Sequence, residues 1–222
     1  MVGLEVAALL ALFFIYAGDP APAVNEAHYL VKAKNFWDPT FCAGDLFVSS
    51  GKAHTTFYWT FGSLTRFVSL EASAWLGRVI GWLMLAIGLR QCCRCLGMPA
   101  FYSIGVAMVW LVGIQYGNLA GEWVVGGIEA KVPAYGLVLM GLAEIIRRRW
   151  SRGWVWFGGA SAFHVLTGGW AVVAAMVSFV VTERLFRRRD ESPVRFFSAG
   201  LFIGGGLALF GLWPALRLTL DA

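Results

Sequence analysis

Charged residues are scarce in this chain, and their scarcity excludes an ordinary soluble domain. Only 14% of the 222 residues are charged, 59% are apolar and the mean hydropathy is +0.67. The net charge of +5 would suggest nucleic acid as the partner of a soluble protein. However, no basic run is interleaved with aromatic residues, and no groove-reading helix is indicated. We therefore expect membrane lipids as partners, with anionic headgroups as the counter-charge of the arginines, and no nucleic acid.

Several motifs of soluble enzyme classes are missing. Gly204-Gly205-Gly206 is not followed by Lys and Ser or Thr, so it is no phosphate-binding loop. The chain contains neither Gly-x-Ser-x-Gly nor His-Glu-x-x-His. These absences argue against ATP-driven transport, serine hydrolysis and zinc-dependent proteolysis by this chain alone.

Cysteine is too sparse and too clustered for a disulfide framework. Cys92, Cys93 and Cys95 are compressed into one predicted turn, and no second pair follows that would complete a zinc site. Cys42 is alone in the long polar loop. We expect reduced thiols near a membrane face rather than a metal centre.

The arginines alternate with the apolar stretches, and this spacing predicts a topology. Connections rich in arginine stay in the cytoplasm because their translocation is disfavoured. The intervening connections carry acids, histidines and lysines instead. We expect a multi-pass membrane protein with a cytoplasmic N-terminus and a first long loop outside the cytoplasm. The cytoplasmic arginines are Arg90, Arg94, Arg147, Arg148, Arg149, Arg152, Arg184, Arg187, Arg188, Arg189 and Arg195.

The predicted fold is all-α, a single membrane domain over residues 1–222 with about seven membrane helices, some of them short or half-spanning. The first stretch has no positive charge before it, so we interpret it as a retained anchor rather than a signal peptide. Glycine pairs with GxxxG spacing permit close helix contacts but are a weak signal. The predicted spans are 2–17, 70–89, 99–113, 132–146, 153–163, 169–181 and 196–213.

Two segments are predicted to shape a site outside the cytoplasm. In the loop at 19–67, Asp19-Pro20 reads as the start of an interfacial amphipathic helix, with Val24, Ala27 and Val31 on its apolar face. A second short helix is expected from His54. Residues 153–183 lie between two arginine clusters and form a short helical hairpin. Its non-helical turn at 163–170 is expected to line a recessed pocket.

The polar residues of this predicted outer side have both a functional and a structural interpretation. All three histidines lie there, and an acid- and histidine-rich face could be a site or simply a solvated loop. Glu129 and Lys131 could meet a phosphate, or they could form an interfacial ion pair. Arg78 could bind a lipid phosphate or extend to the membrane surface.

Several stretches of the sequence resemble known membrane proteins. Two stretches resemble the opening of GT-C glycosyltransferases: residues 25–30, NEAHYL, and Gly77-Arg78 where the chain enters the second span. These enzymes use polyprenyl-phosphate sugars and include protein mannosyltransferases and aminoarabinose transferases. A closer resemblance, to a bacterial multi-pass membrane protein family of planctomycete type, implies a location in the bacterial inner membrane with the first long loop in the periplasm, but no particular activity. It is carried by residues 25–38 (NEAHYLVKAKNFWD), 44–62 (GDLFVSSGKAHTTFYWTFG), 121–131 (GEWVVGGIEAK) and 163–170 (FHVLTGGW).

The GT-C resemblance implies an active site outside the cytoplasm, where an acid of the first loop acts as base or metal ligand. Glu26 occupies the second acid position of that motif, while Asn25 at the first cannot act as a base, so Asp45 is the substitute candidate. His54 would assist. A divalent metal ion, if used, would be held by Glu26 and Asp45. The residues implied in substrate binding are Lys131, Glu129, Arg78, His164 and His28.

Two other classes of function stay open. One is a transporter or lipid-handling protein, because broken helices and intramembrane charges also mark substrate pathways. The other is a non-catalytic membrane protein. GT-C enzymes have more spans than this chain, so we also expect it to correspond to the N-terminal part of a larger protein, as a truncated copy, a fragment or one half of a split gene.

Overall fold

A computed structural model describes residues 1–117, 124–186 and 193–220 of the chain, and within these ranges the protein is helical without a strand. A 3₁₀ segment, Phe61–Arg66, follows α4, and a π-helical segment, Val180–Leu185, continues α9. The helices are α1 (Val2–Ala17), α2 (Glu26–Trp37), α3 (Leu46–Ser49), α4 (Thr55–Trp59), α5 (Leu70–Cys95), α6 (Tyr102–Tyr116), α7 (Lys131–Ile146), α8 (Trp150–Phe163), α9 (Val165–Phe179) and α10 (Ala199–Leu220).

Three helices are long and apolar enough to cross a membrane. They are Leu70–Cys95, Val165–Leu185 and Ala199–Leu220. The helices Val2–Ala17 and Tyr102–Tyr116 are apolar but shorter. Each of the seven apolar stretches predicted from the sequence overlaps one of these five helices or α7 or α8. The protein is thus a helical membrane protein, as expected.

Contacts at both ends of α1 and α5 show that these two helices run antiparallel. Arg90, in the last turns of α5, donates from Nε to Glu5 Oε2 at 2.9 Å, near the start of α1. At the opposite end, Arg78 Nη1 donates to the carbonyl oxygen of Asp19 at 2.5 Å, just after α1. Ser103, at the start of α6, donates to Glu5, so α6 begins where α1 begins.

Helices α8 and α10 run parallel, with α9 antiparallel beside them. A Cβ on Gly200 would lie 1.7 Å from the carbonyl oxygen of Ser151, and a Cβ on Gly211 would lie 2.3 Å from the Cα of Ala162. Helix α9 returns from His164 so that Glu183, in the π-helical segment, accepts from Trp150 Nε1 at 3.2 Å.

These directions gather the described polar groups at two ends of the helix bundle. The end with Arg90, Arg94, Arg147, Arg148, Arg149, Arg152 and Arg184 is called the arginine end below. The end with His28, His54, His164, Glu26 and Glu129 is called the histidine end. The described residues do not include Arg187, Arg188 and Arg189 of the arginine-rich loops, nor the acid Glu122 of the opposite loops.

The interfacial helix differs from its prediction in its start. Residues 18–25 are not helical, and α2 begins at Glu26. The carbonyl of Asp19 accepts from Arg78, which holds this segment against α5. The face buried in the protein contains Glu26, Leu30 and Ala33, whereas Val24 is 46% exposed. The predicted apolar face, Val24, Ala27 and Val31, is not buried in the protein, and its contact with the membrane interface stays a prediction.

The irregular backbone of the bundle also lies elsewhere than predicted. The turn between α8 and α9 is His164 alone, and residues 165–170 are helical rather than an open turn. The second arm continues to Leu185, so it is not too short to cross a membrane. The buried non-helical segment is 124–130, all seven residues of which are buried. Such backbone is tolerated at membrane depth when it is enclosed by protein.

Candidate functional site

A pocket of about 230 Å³ lies at the histidine end, between α2 and the chain that leads through α3 to α4. Cationic, imidazole and aromatic side chains surround it, which is the mixture expected for a polar ligand with an anionic group. We call it the histidine pocket. It is lined by His28, Tyr29, Lys32, Phe47, Gly51, Ala53, His54 and Tyr58.

His54 is held in its neutral form at the base of this pocket. Its Nε2 lies 3.3 Å from the hydroxyl of Tyr29, and its ring also hydrogen-bonds to the backbone of Phe163. Burial lowers the pKa of His54 to about 4, and the neighbouring His164 and Lys32 add to this effect. At neutral pH the imidazole can therefore accept a proton but carries no charge.

His164 connects the pocket to the membrane helices. Its ring stacks on that of His54, with centroids 5.7 Å apart and planes 4° from parallel. Its Nδ1 accepts from the backbone N–H of Thr167 at 3.2 Å and lies 2.9 Å from the Thr167 hydroxyl. His164 thus caps α9 and fixes the position of His54. It does not itself line the histidine pocket.

Lys32 supplies the positive charge of the pocket. Its Nζ donates to Ser50 Oγ at 2.8 Å and to the carbonyl of Gly51 at 3.3 Å, and it lies 4.4 Å from the ring centroid of Phe47. Burial lowers the pKa of Lys32, and repulsion from Lys52 lowers it further. The centroid of the His28 ring lies 5.0 Å from the centroid of the Phe47 ring. A phosphate in this pocket would receive charge from Lys32 without competition from a carboxylate in its lining.

Glu26 and Arg78 are paired with each other in the protein interior. Arg78 donates to the carboxylate through Nε at 2.7 Å and Nη2 at 2.5 Å, and both side chains are fully buried. The backbone N–H groups of Ala23 and Ile128 also donate to Glu26, each at 2.7 Å. The carboxylate therefore accepts from four protein donors. Gly127 permits this approach, because a Cβ there would lie 2.6 Å from Glu26 Cγ.

Glu129 and Lys131 also form a pair, and Glu129 directly follows Ile128, whose backbone N–H donates to Glu26. Lys131 Nζ lies 3.2 Å from Glu129 Oε1, and Asn25 Nδ2 donates to Glu129 Oε2 at 3.0 Å. Both charged side chains are nearly buried. The two side chains form an ion pair, as in the structural alternative considered from the sequence, but Lys131 is buried rather than extended to the membrane surface. Asn25, adjacent to Glu26, connects the two pairs.

Asp45 caps a short helix instead of facing the histidine pocket. Its Oδ1 accepts from the backbone N–H of Val48 at 2.9 Å, at the start of the four-residue helix α3. The residue is exposed. Among the described residues, no three His, Cys, Asp or Glu side chains come together to hold a metal ion.

The structure therefore brings His28 and His54 to one pocket, supported by His164, and places the other predicted residues elsewhere. Sequence reasoning did not select Tyr29, Lys32 or Phe47 as site residues. A signal for Lys32 was present, because Lys32 follows His28 by one helical turn and shares its polar face. Nothing in the sequence pattern marked Phe47, which reaches the pocket from a separate short helix.

Comparison with known proteins adds no family assignment. The chain matches no family model, no curated protein and no solved structure. The functional argument therefore rests on the geometry of the described residues and on the motif resemblance given above.

Proposed function

We propose that the protein is a GT-C-like membrane transferase that moves a sugar from a polyprenyl-phosphate donor to an acceptor outside the cytoplasm. The observation that supports it is that the cation Lys32 and the neutral imidazole of His54 line the same pocket. A phosphate leaving group requires a positive charge, and an acceptor hydroxyl requires a proton acceptor.

The proposal includes an arrangement in the membrane. Seven helices, α1 and α5 to α10, cross or enter the bilayer, and the arginine end faces the cytoplasm of a bacterial inner membrane. The histidine pocket then lies on the periplasmic side. Cysteine labelling in intact cells tests this orientation, because Cys42 is exposed in the loop at the histidine end and Cys95 ends α5 at the arginine end. Labelling of Cys95 but not Cys42 would place the pocket on the wrong side.

The proposed reaction transfers the sugar in one displacement. The acceptor oxygen forms a bond to the anomeric carbon as the bond from that carbon to the phosphate oxygen breaks. The polyprenyl phosphate leaves with the electron pair and is neutralised by Lys32. The acceptor proton passes to His54, whose Nε2 faces Tyr29. Arg78 and Glu26 hold α2 beneath the pocket and are assigned a positioning role.

Binding of a sugar-free polyprenyl phosphate to the protein in nanodiscs tests the phosphate site. We expect Lys32→Gln to weaken this binding by about tenfold or more, since a charge-assisted contact is lost. Lys34→Gln is the matched control, because Lys34 lies on the same helix and does not line the histidine pocket. Equal binding in the two variants would refute the phosphate site.

The chemical step is tested by release of polyprenyl phosphate from a mannose-bearing or aminoarabinose-bearing donor in membranes. His54→Gln should retain donor binding and lose most of the release, whereas His28→Gln should retain both to a larger extent. Unchanged release in His54→Gln, with normal folding, would remove His54 from the mechanism.

A lipid-handling protein without transfer chemistry is the second candidate, and one observation favours it. Both acids that the resemblance implies as bases already accept hydrogen bonds within the protein. Glu26 accepts from four donors, and Asp45 accepts from the backbone N–H of Val48 in α3. In that case Lys32→Gln would weaken polyprenyl phosphate binding, but the wild-type protein would release no sugar from any donor. A protein with neither binding nor release would be a non-catalytic membrane component.

A further inference from the structure

The hydroxyl group of Tyr29 connects His54 to the histidine pocket. Its oxygen lies 3.3 Å from His54 Nε2, and Tyr29 also lines the pocket. The Tyr29 ring packs edge-on against Phe57, with centroids 5.2 Å apart and planes at 70°, and Phe57 is fully buried. Since the hydroxyl is attached rigidly to the ring, this packing and the hydrogen bond together fix its position.

Both ring nitrogens of His54 have hydrogen-bond partners in the protein. The hydrogen bond to the backbone of Phe163 favours a proton on the ring, as a bond from a ring N–H to a carbonyl does. In a neutral imidazole one nitrogen is a donor and the other is an acceptor. Because Nε2 faces the Tyr29 hydroxyl, we assign the donor to Nδ1 and the acceptor to Nε2. Tyr29 then donates its hydroxyl proton to Nε2.

The contacts of His54 restrict how a substrate can reach it. A substrate hydroxyl cannot donate to Nε2 without displacing Tyr29 from this nitrogen. One face of the imidazole is also covered, since the His164 ring stacks on it with centroids 5.7 Å apart. A phenolic oxygen can donate its own proton and accept another hydrogen bond at the same time. The hydrogen-bond path from the pocket to His54 therefore runs through the Tyr29 oxygen.

Tyr29 also has the right position relative to Lys32. The two residues are three positions apart on α2, so they share a helix face with about 5–6 Å between their Cβ atoms. Both line the histidine pocket. In a displacement at the anomeric carbon, the attacking and leaving oxygens lie on opposite sides of that carbon. The proton acceptor and the cation must then be neighbouring but separate groups, as Tyr29 and Lys32 are.

We propose that Tyr29 is a further catalytic residue, which carries the proton of the acceptor hydroxyl to His54. As the acceptor oxygen bonds to the anomeric carbon, its proton passes to the Tyr29 oxygen and the Tyr29 proton passes to His54 Nε2. Tyrosine is unchanged at the end of the step, and His54 becomes the imidazolium. The inference rests on the proposed transfer reaction, whereas the hydrogen bond between Tyr29 and His54 does not.

The hydrogen bond is tested by nitrogen-15 NMR of the full chain with ring-labelled histidines in nanodiscs. The His54 signals are identified by their loss in His54→Gln. For the wild-type protein we expect a neutral imidazole with a protonated Nδ1 and an Nε2 that accepts a hydrogen bond. Tyr29→Phe should move the Nε2 signal downfield, towards that of an imidazole without this bond. Tyr102→Phe is the control, because it removes a hydroxyl that is exposed at the arginine end.

The catalytic role is tested by release of polyprenyl phosphate from the sugar-bearing donor. Tyr29→Phe should lower this release by roughly a hundredfold, the usual contribution of a proton-transfer group. Binding of sugar-free polyprenyl phosphate should be unchanged, because Lys32 is retained. The double variant Tyr29→Phe/His54→Gln should lose no more release than His54→Gln alone, since both residues serve one proton path. Tyr102→Phe should retain both release and binding.

Three results would overturn the proposal: an unmoved Nε2 signal in Tyr29→Phe, wild-type release in Tyr29→Phe, or losses that multiply in the double variant. Absence of release by the wild-type protein would refute the transfer reaction and the catalytic role of Tyr29 with it. A moved Nε2 signal in that case would show that the chemistry, and not the contact between Tyr29 and His54, is at fault. Circular dichroism and gel filtration of each variant identify failed folding.

Discussion

The two halves of this membrane protein hold their segments together by different means. In α8–α10, backbones pack directly, as where a Cβ on Gly204 would lie 2.2 Å from the carbonyl oxygen of Trp154. In the half that contains α2 and residues 124–130, buried charges hold irregular backbone in place, as where Glu26 accepts from Arg78 and from the N–H of Ile128. Below these are called the glycine-packed half and the charge-linked half.

The difference reflects where backbone polar groups find partners. In a helix they are satisfied within the helix, so two helices can associate through small residues alone. Residues 124–130 are buried and not helical, so their N–H groups need other acceptors. Glu26 provides one, and Arg78 compensates its charge. Buried charge in this protein therefore accompanies irregular backbone, apart from the pairs at the arginine end.

The largest expected effect is in the charge-linked half. Arg78→Ala leaves the Glu26 carboxylate buried without its counter-charge, which should cost about 3–5 kcal/mol of unfolding free energy. Unfolding in detergent mixtures measures this loss. Arg66→Ala is the control, because Arg66 is exposed and contacts the ring of Trp37 at 4.6 Å. It should cost less than about 1 kcal/mol. Equal losses would mean that the buried pair does not hold this half.

A smaller effect is expected in the glycine-packed half. Gly204→Ala forces α10 away from α8, because the new Cβ meets backbone rather than a flexible side chain. The expected cost is about 1–3 kcal/mol. Gly205→Ala, one residue further, meets nothing within 4 Å and should instead be neutral or stabilising by up to about 1 kcal/mol. The same unfolding assay compares the two, and a stable Gly204→Ala variant would contradict the close packing.

The pH dependence of stability should single out His54. Its pKa is about 4 in the folded protein and 6.5 ordinarily. Between these values the unfolded state binds the proton and the folded state does not, so stability falls as the pH is lowered from about 6.5 to 4. The loss should be up to about 3 kcal/mol, because each unit of pKa shift corresponds to about 1.4 kcal/mol. His54→Gln should flatten this part of the profile relative to wild type, whereas His28→Gln should not.

The smallest expected effect concerns Asp45. Asp45→Ala removes the cap of α3 and should cost about 0.5–1 kcal/mol, while Asp45→Asn retains an acceptor oxygen and should cost little. Thermal unfolding of the two variants measures the difference. A loss of sugar transfer in Asp45→Asn, at unchanged stability, would give Asp45 the role of base that the GT-C resemblance implies.

Local sequence patterns predicted the helices better than the site. Val2–Ala17 was predicted with the bounds it has, because an unbroken apolar stretch ends at Gly18-Asp19. The start of α2 was wrong, since Asp19 and Pro20 looked like a cap before their backbone was known to contact Arg78. Glu26 and Arg78 were both selected as site residues, but 52 positions of sequence separate them and no pattern linked them.

The sequence by itself determined that this is a helical membrane protein with most of the described arginines at one end, because hydropathy and charge act residue by residue within each segment. The tertiary structure decided which charges are paired, where irregular backbone is buried, and that His54 stays neutral beside Lys32. Those properties depend on the approach of segments far apart in the chain, since desolvation and counter-charge are set by neighbours in space.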